Sequence, residues 1–253
     1  DSLRTVSATS SDKAIVTATA GTGATEGVHT IEVNQLARAN KLVQTDGLAS
    51  ADTLVGAGAF VYTYNGTTRT IYTTADTTLA SLRDLINNDA GNPGVQASLL
   101  EYGSTQHLML TGKNTGADYD ITIEAETTLA DFGAAAFTET QAAQSAQIRV
   151  DGFPSGAWIE RNSNTISDVV SGVTLELKAA GAVNVTLARS TTTLKENLNN
   201  FVAIYNGLAG IIDTYTGYDK TKEQGGILQG DSVINGILER LRSPLIGIAG
   251  GFQ

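Results

Sequence analysis

Few side chains in this sequence combine the residue type and the spacing that chemistry requires. Its two histidines, His29 and His107, both sit in alternating strand-like runs, so each reads as an ordinary strand residue rather than a ligand or a base. Asp118 and Asp120 in GADYDIT could offer two oxygens to a calcium ion, but the remaining ligands of a loop motif are missing. A solvated turn is the better reading. TGKNTG at 111–116 lacks the spacing of a phosphate-binding loop, and neither an H-E-x-x-H nor a G-x-S-x-G motif occurs. Any Asp and Glu could meet in space to hydrolyse a glycoside, yet nothing singles out a pair. Tyr62, Tyr64, Tyr72 and Trp158 are the aromatic candidates for a sugar platform, with Tyr62, Tyr64 and Trp158 taken as the possible adhesive surface. The competing reading is cross-strand packing on a half-buried sheet. No catalytic, cofactor-binding or metal-binding residue is assigned, and an enzyme is not expected.

Composition narrows the alternatives further. The chain has 253 residues, 41 % of them hydrophobic, enough for a core in one large domain or two to three small ones. It contains 27 Gly and 3 Pro, a mixture suited to short strands and tight turns. The net charge of −10 opposes binding to nucleic acid or to anionic membrane surfaces. With no cysteine, disulfides, thiolate metal sites and cysteine nucleophiles are all excluded. No apolar run approaches the length of a membrane span. The chain begins at Asp1 and stops at GIAGGFQ directly after a helical pattern, from which we expect an excised fragment of a longer protein.

The elements that must carry any function are legible as periodicities. Residues 28–35 alternate, with Ile31 and Val33 on one face of a strand. AFVYTYNGTTRTIYTT predicts a hairpin that turns at Asn65-Gly66. TTLASLRDLINN predicts a helix with Leu79, Leu82, Leu85 and Ile86 on its stripe and Thr77 or Thr78 as cap. A second hairpin-type turn falls at Asp151-Gly152. SNTISDVVSGVTLELK then predicts a short helix, with Ile166, Val169 and Val170 on one face, followed by a strand from Val173. Gly66 precedes Leu79 by 13 residues and Gly152 precedes Ile166 by 14, and Gly94-Val95 and Gly172-Val173 each open a strand. We read this as a weak internal repeat of hairpin, short helix and strands.

After Ser190 the pattern changes. Leu194, Leu198, Phe201, Tyr205, Leu208, Ile212 and Tyr215 follow a 4-3-4-3-4-3 spacing, a coiled-coil-like heptad seam on one long helix. Such a helix cannot stand alone against the backbone entropy it must overcome. DSVINGILERLRSPL offers a second stripe through Val233, Ile234, Ile237, Leu238 and Leu241, with Asp231 as N-cap and Pro244 as stop. The expected fold is α+β: two β-rich head domains of strands plus short helices, one inserted in the other, followed by an α-helical leg. The expected boundaries are 1–23 for a leg-proximal segment, 24–45 with 145–188 for the outer head, 46–144 for the inserted head and 189–253 for the start of the leg.

Several segments, in order along nearly the whole chain, resemble one family. They are GVHTIEVNQLARA with its Leu36-Ala37 pair, GVQAS with LMLTGKNTG, and AQIRVDG. The central stretch RNSNTISDVVSGVTLEL carries Arg161, Ser163-Asn164, Ile166, Asp168 and Gly172-Val173-Thr174-Leu175. LNNFVAIYNGL follows with Phe201-Val202 and Tyr205-Asn206, and then the turn GILQGD from Gly226 to Asp231. Together they resemble the bacterial flagellar filament cap proteins, also called hook-associated protein 2 or FliD. The resemblance implies a structural protein of motility, secreted through the flagellar channel to the filament tip. There it would form a ring-like homo-oligomer that promotes flagellin insertion and prevents flagellin loss. It further implies a dedicated export chaperone bound through a C-terminal region, and an association with cell adhesion and host glycans. No cofactor is implied. The alternatives are another flagellar axial or junction protein, or a carbohydrate-binding surface adhesin.

Overall fold

Among the described residues, backbone hydrogen bonding forms many short strands together with α-helices. A computed structural model describes residues 6–190, 192–219, 224–231, 233–234 and 236. The first strands are β1 (Val6–Ser10), β2 (Val16–Ala20), β3 (Gly27–Gln35), β4 (Lys41–Gln44), β5 (Gly58–Tyr64) and β6 (Thr67–Thr73). Helix α1 (Leu79–Asn88) precedes β7 (Val95–Tyr102), β8 (Thr105–Gly112), β9 (Ile121–Ile123) and β10 (Phe137–Gln141). Then come β11 (Ala146–Val150), β12 (Ile159–Arg161), β13 (Thr165–Val170), β14 (Val173–Leu177) and β15 (Gly181–Arg189). Helix α2 (Thr192–Thr216) and the two-residue strands β16 (Tyr218–Asp219) and β17 (Gln224–Gly225) follow. The chain divides into one unit spanning Val6–Arg189 and another that contains α2.

Within Val6–Arg189 the strands form four antiparallel sheets around two apolar clusters. One cluster lies between the sheets β1-β15-β3-β11-β12 and β13-β14-β2. In it, the alternation of β3 buries Ile31 and Val33, and Ile31 stands opposite Val183 and Val150 on its neighbours. The other cluster is enclosed by β10-β4-β8-β7, β6-β5-β9 and α1. The chain leaves the first lobe after β3 and re-enters it at β11, and everything between builds the second lobe. The crossing strands are held side by side, Arg38 N donating to Gln144 O at 2.8 Å and Gln144 N to Arg38 O at 3.1 Å.

Local chemistry explains several elements. Asn65 and Gly66 both take positive φ, 49° and 69°, which a two-residue hairpin turn requires. Thr78 caps α1 by accepting from Ser81 N at 3.1 Å, while Leu79, Leu82 and Ile86 are buried and Leu85 is 42 % exposed. Gly172 has φ +70°, and a Cβ there would fall 2.3 Å from Ala24 N, so only glycine lets β14 begin beside that loop.

Three expectations need correction. Residues 165–170 form strand β13, not a short helix. Ile166 and Val170 are both buried, but a spacing of four satisfies a strand period of two as well as a helical turn. Ile166 pairs with Leu175 and Val170 with Val173, so the strand carries two extra residues at a register break, and exposed Asp168 sits on this bulged segment. Hairpin, helix and strand therefore follow one another only in the first half of the expected repeat. Residues 6–23, expected as a leg-proximal segment, supply β1 and β2, which pair with β15 and β14. β4, placed with the outer head by the expected boundary at 46, pairs with β8 and β10 of the second lobe.

α2 has 25 residues, about 37 Å at about 1.5 Å per residue. Beyond it, Asp231 Oδ1 accepts from Val233 N at 2.8 Å and Ile234 N at 3.3 Å, an N-cap. Ile237, Leu238, Leu241 and Pro244 of the expected second stripe lie outside the described residues. Leu175→Ala, at a fully buried position, is expected to lower unfolding free energy by about 2–5 kcal/mol. Val28→Ala, at a 60 % exposed position, should change it by no more than about 0.5 kcal/mol. Denaturant titration of both variants checks the pair.

Candidate functional site

The stretch Arg161 to Asp168 lies where the two lobes of the Val6–Arg189 unit meet. Asn164 acts there as a substitute for a strand residue: its Oδ1 accepts from Ala37 N at 2.7 Å and its Nδ2 donates to Ala37 O at 2.9 Å. Ser163 Oγ accepts from Thr165 N at 3.0 Å and starts the turn into β13. Asn162 faces the other lobe. Its Oδ1 accepts from Ser145 Oγ at 2.8 Å, its Nδ2 donates to Asp118 Oδ2 at 3.0 Å, and its carbonyl accepts from Thr115 Oγ1. Gly116, at φ +115°, leaves room for it, since a Cβ would lie 2.5 Å from the Asn162 side chain. Asp118 is thus a partner of the junction.

A second polar group secures the crossing strands. Buried Asn40 donates through Nδ2 to Glu139 Oε1 at 2.6 Å, Gln141 O at 3.3 Å and Asp120 Oδ1 at 3.4 Å. Gln141 Nε2 donates to Ala39 O at 2.6 Å and Gln144 Nε2 to Leu36 O at 2.7 Å. Desolvation, with Glu139 as a neighbouring negative charge, pushes the Asp120 carboxyl up from its usual range. Among the described residues, no group of three or more acidic, His or Cys side chains could hold a metal ion. His29 Nδ1 bonds Asp151 Oδ2 at 2.8 Å, and buried His107 bonds Gln44 O and Thr105 Oγ1, each at 2.8 Å. Both histidines bond within the fold.

The aromatic platform does not assemble. Tyr62 and Tyr64 are fully buried in the second lobe, so neither can touch an external ligand. With Phe60 they occupy one face of β5, and that face is turned to the core. Burial pushes the Tyr62 hydroxyl up to about 12. The Tyr64 ring lies tilted by 42° beside Tyr119, centroids 5.8 Å apart, and a Cβ at Gly112 would lie 2.8 Å from its ring, which accounts for glycine in TGKNTG. Trp158 is in the first lobe, half-buried, with the Arg149 guanidinium 3.8 Å above its ring. Tyr72 is 76 % exposed but stands apart from these three on β6.

Of the carboxylates paired with guanidinium or imidazole groups, three are shifted by the pairing. Arg161 grips Asp168 at 2.8 Å, Arg69 grips Asp89 at 2.6 Å, and His29 meets Asp151 at 2.8 Å. These hydrogen bonds hold all three carboxyls below the usual range. On α2, Leu198, Phe201 and Tyr215 are exposed, Tyr205 and Leu208 are half-buried, and Ile212 is buried. The Leu194 side chain lies outside the described residues. Val202, Ile204 and Ile211 are also exposed, so apolar surface is open on several sides of the helix.

Two family models match the chain: flagellar hook-associated protein 2 N-terminus over residues 1–40 and flagellar hook-associated protein 2 C-terminus over 143–250. The interval between them is the segment that folds into β4–β10 and α1. The B-type flagellar hook-associated protein 2 of Pseudomonas aeruginosa is 30 % identical over 94 % of this chain and 56 % of its own length. The lateral flagellar hook-associated protein 2 of Vibrio parahaemolyticus is 31 % identical over 96 % of this chain and 58 % of its own. The chain thus spans a little over half the length of these relatives. Its structure superposes on the D1-D2-D3 domains of the flagellar cap protein FliD from Escherichia coli with a TM-score of 0.73 at 29 % identity, covering 95 % of this chain and 69 % of that one. FliD from Pseudomonas aeruginosa matches with a TM-score of 0.64 at 26 % identity, covering 81 % and 98 %.

Asn164→Ala strips both partners from the Ala37 peptide, and we expect a loss of about 1–3 kcal/mol in denaturant titration. Asp89→Asn should lower the melting temperature at pH 7. The folded-state pKa of Asp89 is depressed, so its contribution is complete above the unfolded value of about 3.9 and disappears as pH falls through the folded one. Melts of the two proteins from pH 7 downward should therefore stay apart to about pH 4 and converge only as pH falls further, through the depressed folded-state pKa.

Proposed function

The chain belongs to the flagellar hook-associated protein 2 family, and from that membership we propose that it is the head and the start of the leg of a cap at the distal end of the flagellar filament. The observation that carries this reading is a match by the same family at both ends of the chain, joined by a superposition on FliD over nearly its whole length. The cap is a ring-like assembly of copies of the whole protein. It retains flagellin arriving from the export channel and guides it into the filament. Its place is extracellular, and its work consists of packing and release rather than bond making, with no cofactor. Free energy for assembly comes from buried apolar surface.

Helix α2 supports the leg. Its heptad seam, with Leu198 54 % exposed, leaves apolar surface that the described residues do not cover. Helices elsewhere in the whole protein, or in neighbouring copies, cover it. Complementation tests the cap reading: a strain lacking its cap protein should regain filaments when the whole protein is supplied, and flagellin in the medium should fall. Continued leakage without filaments would overturn it. In the same assay Leu208→Asp places a charge in the seam, so filament growth should fail and the whole protein should melt at a lower temperature. Normal motility and stability in that variant would remove the seam from the account.

A further inference from the structure

The sheets of the Val6–Arg189 unit have edges, and most are closed to further pairing. β9 and β12 have three residues each, and β10 and β13 carry register breaks. The eight-residue edge strand β7 is plugged by asparagines. Asn87 Oδ1 accepts from Ala97 N and its Nδ2 donates to Ala97 O, both at 2.8 Å. Asn92 makes the same pair of bonds with Val95, again at 2.8 Å.

β6 has no such plug. It has seven residues, TTRTIYT, paired with β5 without a break and containing neither proline nor lysine. Its one charge, Arg69, is held by Asp89. On β5, Ala59 and Val61 direct their backbone groups away from β6, bonding Thr128 and Leu129, and Thr127 and Glu124. The alternate residues Phe60, Tyr62 and Tyr64 therefore bond β6 at Ile71, Arg69 and Thr67. That leaves the N–H and C=O of Thr68, Thr70 and Tyr72 directed out of the sheet edge. A groove opens beside them, bounded by Thr70, Ile71 and Tyr72 on the strand and by Ser81, Asp84 and Leu85 on α1.

We propose that β6 pairs antiparallel with β6 of a second copy of this chain, about a two-fold axis at Thr70. The register makes the strand its own complement. Thr70 meets Thr70, and Thr68 meets Tyr72 twice, so every outward N–H and C=O of both strands finds a partner. Residues at 70 + k and 70 − k share a sheet face, so the core side of one lobe continues into the core side of the other. The two three-stranded sheets become one of six strands, and Tyr72 and Leu85 lose exposed surface on both copies. This isologous contact is separate from the ring proposed above and does not depend on it.

Sedimentation equilibrium of the chain should show a reversible monomer–dimer transition. Thr70→Pro removes an outward N–H while leaving the bonds to β5 intact, and it should weaken dimerisation at least tenfold with an unchanged circular dichroism spectrum. The chain has no cysteine, so Thr70→Cys introduces a unique thiol. Opposed residues in such a pair have Cα atoms about 5.5 Å apart, within disulfide reach. Mild oxidation should convert Thr70→Cys to a covalent dimer, while Thr122→Cys on β9 stays monomeric. A chain that remains monomeric at all concentrations, a Thr70→Pro variant that dimerises like the parent, or equal cross-linking at 70 and 122 would overturn the pairing. If Thr70→Pro fails to fold, the comparison of the two cysteine variants decides.

Discussion

A strand residue offers one donor and one acceptor side by side, and so does an asparagine carboxamide. This equivalence is the interaction on which the head region rests. Asn164 supplies it to Ala37 between β3 and β4, and Asn87 and Asn92 supply it to β7. Asn40 satisfies the peptide of Ile121 while binding Glu139 and Asp120. A backbone group removed from water must be paired, and a fold of short strands has many ends and edges where no neighbour is available. Small, uncharged side chains that mimic a peptide resolve this without adding charge to a chain already at −10.

The second lobe depends on the same device. An inserted lobe has two crossings, and each passes through the polar junction. Here the crossings bond one another at Arg38 and Gln144, and side-chain amides from Gln141, Gln144 and Asn162 fill the remaining positions. The resemblance-bearing stretch 161–168 therefore concerns assembly of the fold itself. Its Ser, Asn and Asp side chains are turn, bridge and ion-pair groups.

Features set by neighbours in sequence were readable in advance. The Asn65-Gly66 turn, the alternation of β3 and the Thr78 cap of α1 each depend on a handful of adjacent residues. Features set by distant partners were not. β1 and β2 join strands more than 150 residues away, and nothing in VSATS or VTATA names those partners. β13 was misread because Ile166 and Val170 are four apart, a spacing shared by both periodicities. Tyr62 and Tyr64 show that alternation separates two faces without saying which one is wet. The asparagine plugs were missed although NNDAGN at 87–92 marks them, because an amide near a helix end is read first as a loop residue.

The paired crossing has a mechanical consequence. A lobe on one flexible strand swivels about the single bonds of its tether. A lobe on two strands, bonded to each other at Arg38 and Gln144 and braced by Asn162, cannot rotate without shearing those bonds together. The joint therefore resists the swivelling that a single-strand tether would allow.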